Sequence, residues 1–337
     1  MPPPLGEPQS ALVELGLALL AAGYRFVTPT PDSHRRVLER PHEATDPVAP
    51  GRDDARAATR LLRDAFGWSR PFPLARLPAP VRAWGEAADI FRSQPDAALV
   101  KSRVRFSTLE ETAGVHLFVH SAYPTTDADA VFFGPDSYRF AAALRRTVKP
   151  ARRLIDVGCG TGVGGLVLAD RVTEVVLTDV NPRALELAAV NGALAARTGQ
   201  CAVGQVALCQ SDVLASVEGE VDVVISNPPY LIGPEGQGGR LYRDGGGQLG
   251  IDLAARIVTE SLARLSGRGG QLVLYTGVPI VEGRNVLQDR LDPSLRAARA
   301  RWTWEELDPD VFGEELSRPC YHGTERLAAV LLTAQLA

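Results

Sequence analysis

Apolar positions change their rhythm twice along the 337 residues. Near the start, ALVELGLALLAAG is apolar at helical spacing, with Ser10 placed to cap a helix over about 11–22 and Gly23 to end it. A second helical stretch, RDDARAATRLLRDAFG, stops at Gly67. Pro-rich connectors, among them TPTPDS, RPHEATDPVAPG and RPFPLARLPAPVRAW, lie between and after them. Around Lys101 the period shortens, and KSRVRF and VHLFVHS alternate as strands do. From Arg153 onward the runs RLIDVG, EVVLTDV, QVALCQSDV, VDVVISN and GGQLVLYTG alternate with helical stretches. That alternation predicts an α/β fold with a mostly parallel sheet and helices on both faces. Trp302 and Trp304 fall on one face of a further strand, read as core, and a final strand is expected at about 326–335.

A chain 45% hydrophobic and this long can bury a sizeable core. Its net charge of −4 supplies no strong electrostatic footprint for a long nucleic acid. The longest apolar stretch contains Glu14 and falls short of the roughly 20 residues a membrane span needs, so no membrane partner is expected. MPPPLGEPQS lacks the charged and apolar regions of a signal peptide, and a cytoplasmic protein is expected. Cys159, Cys201, Cys209 and Cys320 show no CxxC spacing, which argues against a zinc site or a disulfide framework. His116 and His120 would share one strand face but stand about 13 Å apart, too far for one ion. No metal is expected.

The chemistry concentrates behind the strand ends. IDVGCGTGVGG follows the first strand of the alternating region, and Gly158, Gly160 and Gly162 let the chain turn sharply and let a ligand approach the backbone. The Gly-Lys-Ser/Thr of a phosphate-gripping loop is missing. Asp179 follows Asp156 by 23 residues, at the carboxyl end of the next strand, where a carboxylate can accept both hydroxyls of a ribose. Pro182 starts a helix behind Asn181 as its cap. Asp212 ends the third strand, placed for an adenine amine. A nicotinamide-binding domain is the alternative for the glycine loop and Asp179, and a surface turn for Asp212.

The fourth strand runs into SNPPYL. Pro228 and Pro229 have no N–H and fixed φ, so the strand stops there, and Pro228 holds Asn227 extended in a stiff turn rich in acceptors. Such a turn can receive two N–H donors.

DVGCGTG, TDVNP, SDVL and NPPY, in this order and spacing, resemble the class I S-adenosylmethionine-dependent methyltransferases, and within them the NPPY branch that methylates planar nitrogens. YRDGGGQLGIDLAARI resembles a Gly-Gly-x-x-Gly segment of the HemK-type release-factor glutamine methyltransferases. The resemblance covers about 131–280. It implies a Rossmann-like, seven-stranded methyltransferase sheet in a catalytic domain over 121–337, preceded by a mainly helical accessory or substrate-recognition domain over 1–120. It implies S-adenosylmethionine as cofactor, with Asp156, Gly158, Gly160 and Gly162 at its methionine end, Asp179 on the ribose, Asp212 on the adenine and Asn227 beside it.

In that reading Asn227 and the Pro228 carbonyl each accept an N–H of the target, and Tyr230 stacks on the planar group. Seven glycines within 233–247 suggest a lid, with Tyr242 or Arg243 as substrate contacts, and FFGPDSYRF offers Phe133 or Tyr138 as a cover. A protein glutamine is the first candidate acceptor. An adenine amine of RNA or DNA, a small-molecule nitrogen, and a non-catalytic partner subunit that binds the cofactor are the alternatives. After Gly277 the chain departs from the HemK pattern with an acid- and Pro-rich insertion expected to reshape the target pocket.

Overall fold

Helices open the chain: α1 (Glu7–Ala21), α2 (Pro31–Leu38), α3 (Asp54–Phe66) and α4 (Ala79–Ala87). The computed structural model describes residues 5–40, 54–96, 98–111, 114–233, 241–267 and 269–337. α1 begins before Ser10 because Pro8 fits the first turn, where its missing N–H costs nothing. Gly23, at φ +74°, closes the turn that follows. Strands β1 (Phe91–Ser93) and β2 (Val100–Ser102) pair antiparallel, and β3 (Val104–Glu111) and β4 (Gly114–Ser121) form a hairpin.

The alternating half follows in order: α5 (Pro135–Thr147), β5 (Ala151–Val157), α6 (Val163–Val167), β6 (Val172–Asp179), α7 (Pro182–Arg197), β7 (Val206–Gln210), β8 (Val223–Ser226), α8 (Asp252–Arg264), β9 (Gln271–Val281), β10 (Arg284–Asn285), α9 (Val286–Ala297), β11 (Ala300–Asp308) and β12 (Arg326–Leu336). The sheet runs β7-β6-β5-β8-β9-β12-β11, seven strands as expected, with the two-residue β10 appended to β9. The first five strands are parallel; β12 inserts antiparallel between β9 and β11. β6 and β8 flank β5 on opposite sides, so the strand order reverses there and a crevice opens at the carboxyl ends.

Strand periodicity explains the two-sided core. Leu154 packs into the cluster beneath α5 and α6, while its neighbours Ile155 and Val157 pack into the cluster beneath α8 and α9. β12 divides in the same way, Leu327, Ala329 and Leu331 against Ala328, Val330 and Leu332. Trp302 and Trp304 are half-buried on β11 against the second cluster.

A third cluster belongs to both halves. Leu12, Leu15 and Leu19 of α1 and Phe66 of α3 pack with Ala184, Leu187, Val190 and Leu194 of α7. Gly16 makes this approach possible, since a Cβ there would stand 2.8 Å from Leu194. Arg197 closes the edge with an ion pair to Glu14 at 2.8 Å. Buried Asn191 ties three segments together: its Oδ1 accepts from the Val119 N–H at 2.7 Å, and its Nδ2 donates to the carbonyls of Val119 (3.1 Å) and Thr161 (2.9 Å). Among the described residues no helix is long and apolar enough to cross a membrane.

Candidate active site

The carboxyl ends of β5, β6 and β8 open into a cavity of about 1010 Å³. Gly158 and Gly160 line it at φ +66° and +54°, in the left-handed region that favours glycine. Among the described residues, its chain neighbours aside, no heavy atom lies within 4 Å of where a Cβ would stand on Gly158, so the loop backbone faces open space. Gly162 has another task. It does not line the cavity, and a Cβ there would stand 2.8 Å from Leu177, so it seats α6 on the sheet.

Two carboxylates, Asp156 buried and Asp179 half-buried, brace this loop and the helix behind it. Asp156 Oδ2 accepts from the Gly165 N–H at 2.9 Å, and burial, with a further push from the Asp179 charge, raises its pKa to about 7. Asp179 accepts from the Gly160 N–H at 3.0 Å with Oδ2 and from the Asn181 N–H at 2.9 Å with Oδ1. Burial raises its pKa as well, against those two hydrogen bonds. Asn181 caps α7, accepting from the Arg183 N–H at 3.0 Å, as its sequence position suggests. Asp212 reaches the cavity wall, but its carboxylate is paired with Arg256 at 2.8 Å. A purine amine at that point competes with a guanidinium.

Asn227 lines the cavity, and neither its side-chain amide nor the Pro228 carbonyl has a hydrogen-bond partner among the described residues. Behind them Ser226 Oγ donates to the Val157 carbonyl at 2.7 Å and fixes the strand end. Tyr230 also lines the cavity, held on three sides. Its ring lies over Gly277, where a Cβ would come within 2.3 Å of Cε2, and meets Phe312 edge-on at 5.9 Å between centroids. Its hydroxyl donates to Asp136. Asp136 further accepts from Tyr275 at 2.8 Å and Arg139 at 3.1 Å, and Arg139 reaches Asp308 at 2.7 Å.

The glycine-rich segment divides. Residues 234–240, the centre of the expected lid, lie outside the described residues. Beyond them, Gly245 serves close packing: a Cβ would stand 2.0 Å from the Gly250 carbonyl oxygen and 2.7 Å from Tyr230 Cα. Tyr242 stacks on Phe132 at 5.7 Å and donates to the Thr125 carbonyl at 3.0 Å, and Arg243 pairs with Glu315 of the C-terminal insertion. Both line the cavity.

Phe133 and Tyr138 do not. Phe133 is fully buried against Phe118, His120 and Tyr138, and the Tyr138 hydroxyl accepts from the Thr28 N–H at 3.0 Å. Phe132 lines the wall instead. His120 is bonded to Ser107 Oγ at 2.8 Å and His116 faces Glu111 at 3.4 Å, each engaged separately. Sequence reasoning passed over Asp136, readable only as an acid in a helix's first turn, and Phe312, for which the sequence carries no signal. It also passed over Thr28, His34 and Arg105, which the N-terminal elements bring to the cavity wall.

Residues 139–275 match the family described as the methyltransferase small domain. By this match residues 139–275 form a methyltransferase domain. The chain is 32% identical over 205 residues to the release factor glutamine methyltransferase of Deinococcus radiodurans, covering 57% of this chain and 66% of that protein. With the enzyme of the same name from Cereibacter sphaeroides it shares 32% over 191 residues, covering 56% and 63%. An 81-residue stretch is 42% identical to the ribosomal RNA small subunit methyltransferase C of Hahella chejuensis, covering 23% of this chain and 22% of that one. The chain thus spans just under two thirds of these two glutamine methyltransferases. It resembles the HemK type, and the matched segment contains the glycine loop, Asp179 and the Asn-Pro-Pro-Tyr turn.

Proposed function

We propose that this methyltransferase transfers a methyl group from S-adenosylmethionine to a planar nitrogen, with the side-chain amide of a protein glutamine as first candidate. One observation carries the reading: two unspent acceptors, Asn227 Oδ1 and the Pro228 carbonyl, open into the same cavity as the carboxylate-braced glycine loop. The residues fit the cofactor. Gly158 leaves its backbone open, Asp179 has lone pairs to spare for a ribose, and Asp156 and Asp179 supply negative charge near a cation.

S-adenosylmethionine, when bound, supplies an electrophilic methyl group on a sulfonium. The chain's own residues must then present the nitrogen. An amide nitrogen is a weak nucleophile because its lone pair is delocalised, and Asn227 and Pro228, each accepting one N–H, orient it and disperse its growing positive charge. Tyr230, anchored by Asp136, Gly277 and Phe312, offers a fixed ring for the planar group. The nitrogen's proton becomes acidic as the new bond forms and leaves to water afterwards, so no dedicated base is required.

A second reading, transfer to an adenine amine, is supported by the likeness to the ribosomal RNA methyltransferase and weakened by the net charge of −4. A small-molecule nitrogen is a third acceptor, and a cofactor-binding partner subunit without catalysis is the contrasting class. To separate them, purified protein and an Asn227→Ala variant are incubated with methyl-labelled cofactor and cell extract divided into protein, nucleic-acid and small-molecule fractions. Label is expected in the protein fraction, reduced about 10²–10³-fold by the variant. Label confined to nucleic acid, falling steeply with salt, supports the second reading. Cofactor binding with no label in any fraction overturns methyl transfer.

A further inference from the structure

Three cationic side chains on the cavity wall differ in one respect. Arg243 is paired with Glu315 and Arg256 with Asp212 and Glu260, whereas Arg105 of β3 faces no carboxylate among the described residues. It is also the most enclosed, with 3% of its surface exposed. Nε donates to the Gly67 carbonyl at 2.9 Å, and Nη2 to Thr28 Oγ1 at 3.2 Å and His34 Nδ1 at 3.4 Å. Nη1 has no protein acceptor among the described residues, so two N–H groups remain unspent.

The surroundings hold this guanidinium without neutralising it. The Phe26 ring lies 5.6 Å below it, and a nearby cation, Lys101, is itself tied to the Tyr123 carbonyl at 2.7 Å. His34 is fixed in one tautomer. Its Nε2–H donates to the Trp68 carbonyl at 2.9 Å, which leaves Nδ1 as the acceptor facing Arg105. Burial and the positive charges of Arg105, Lys101 and Arg70 hold its pKa down at about 4, so it stays neutral. For Arg105, burial dominates and lowers the pKa to about 10, opposed only by the phenols of Tyr24, Tyr138 and Tyr123. Enclosing a charge without a counter-ion costs several kcal/mol, a cost that an incoming anion with two parallel acceptor oxygens relieves.

We infer that Arg105, oriented by Gly67, Thr28 and His34, is an oxoanion-binding subsite that takes a carboxylate or phosphate group of the methyl acceptor. Placing the ligand on the acceptor rests on the methyl-transfer reading; the anion site itself does not. Arg105 lies outside the matched methyltransferase segment, 139–275, which carries the glycine loop and the carboxylates Asp156 and Asp179. The cavity therefore has an acidic wall from that segment and a cationic one from the N-terminal elements. Its volume, about 1010 Å³, is at the upper end of the roughly 300–1,000 Å³ of small-molecule pockets, room for a second ligand beside a cofactor.

The test uses the full chain saturated with S-adenosylhomocysteine. Its melting temperature is followed as sodium acetate or inorganic phosphate replaces chloride at constant ionic strength. A rise of about 2–4 °C is expected with at least one of the two. The rise should vanish in Arg105→Gln, while that variant binds S-adenosylhomocysteine as the parent does. Larger effects of acetate name a carboxylate on the acceptor, and larger effects of phosphate a phosphate. Should Arg105→Gln fail to fold, Arg105→Lys decides, because it keeps the charge and loses the planar fork: anion affinity should drop at least about tenfold. Absence of any rise in the parent, or persistence of the full rise in the variants, overturns the subsite. So does a loss of affinity for S-adenosylhomocysteine but not for 5′-methylthioadenosine, which would assign Arg105 to the cofactor's own carboxylate. Anion binding by a protein that binds no S-adenosylhomocysteine would sink the methyl-transfer reading and leave the anion site standing.

Discussion

Asp156 shows how much a single residue's surroundings add to its identity. The sequence places an acid before a glycine loop; burial first, and then the Asp179 charge, raises its pKa from 3.8 to about 7. In the free protein, the folded state keeps a proton between those values that the unfolded state has released. Its contribution to stability is therefore present at low pH and lost as pH rises towards about 7. A bound cation favours the ionised form and works the other way. The dissociation constant for S-adenosylmethionine should fall up to about tenfold per pH unit until about 7 and then level off, with a weaker trend for the uncharged thioether S-adenosylhomocysteine. Calorimetric titrations of both ligands at several pH values would check this; identical flat profiles would remove Asp156 from the binding equilibrium. Tyr230 makes the same point differently. Its place in the motif is legible, but Asp136, Gly277 and Phe312, which immobilise its ring, come from three distant parts of the chain.

Among the elements, α7 joins the two halves of the chain. Its sequence announces a capped helix, and the structure gives it a face for the sheet and another for α1 and the β3–β4 hairpin. The amide of Asn191 on that second face meets both the hairpin and the glycine loop. Replacing it with Ala strands buried backbone groups of Val119 and Thr161, each worth about 1–3 kcal/mol. Asn191→Ala should lose about 2–4 kcal/mol in urea unfolding and weaken cofactor binding, since Thr161 belongs to the loop. Unchanged cofactor affinity in a destabilised variant would show that the loop holds its shape without this tie. The glycine-rich segment after the Asn-Pro-Pro-Tyr turn teaches the opposite lesson. Its composition suggests flexibility, yet Gly245 is glycine because backbone crosses backbone there.

For the whole molecule, the shared third cluster argues that a catalytic part over residues 122–337 is incomplete. Cut free, it would expose Ala184, Leu187, Val190 and Leu194 together with the Asn191 amide stripped of its Val119 partners. That fragment is expected to be aggregated or to lack a cooperative melt, and co-expression with 1–121 is expected to restore it. A well-folded fragment that binds S-adenosylhomocysteine would show that the two halves pack without depending on each other. The order of strands and helices after Arg153, the glycine loop, Asp179 and the Asn-Pro-Pro-Tyr turn were all determined by the sequence, because period, proline and glycine act on neighbouring residues. Tertiary structure alone decided that Phe132 rather than Phe133 lines the cavity, that Asp136 holds Tyr230, and that Arg105 reaches the cavity with no carboxylate facing it among the described residues. Those outcomes depend on which distant surfaces meet and exclude water, and no local pattern records that.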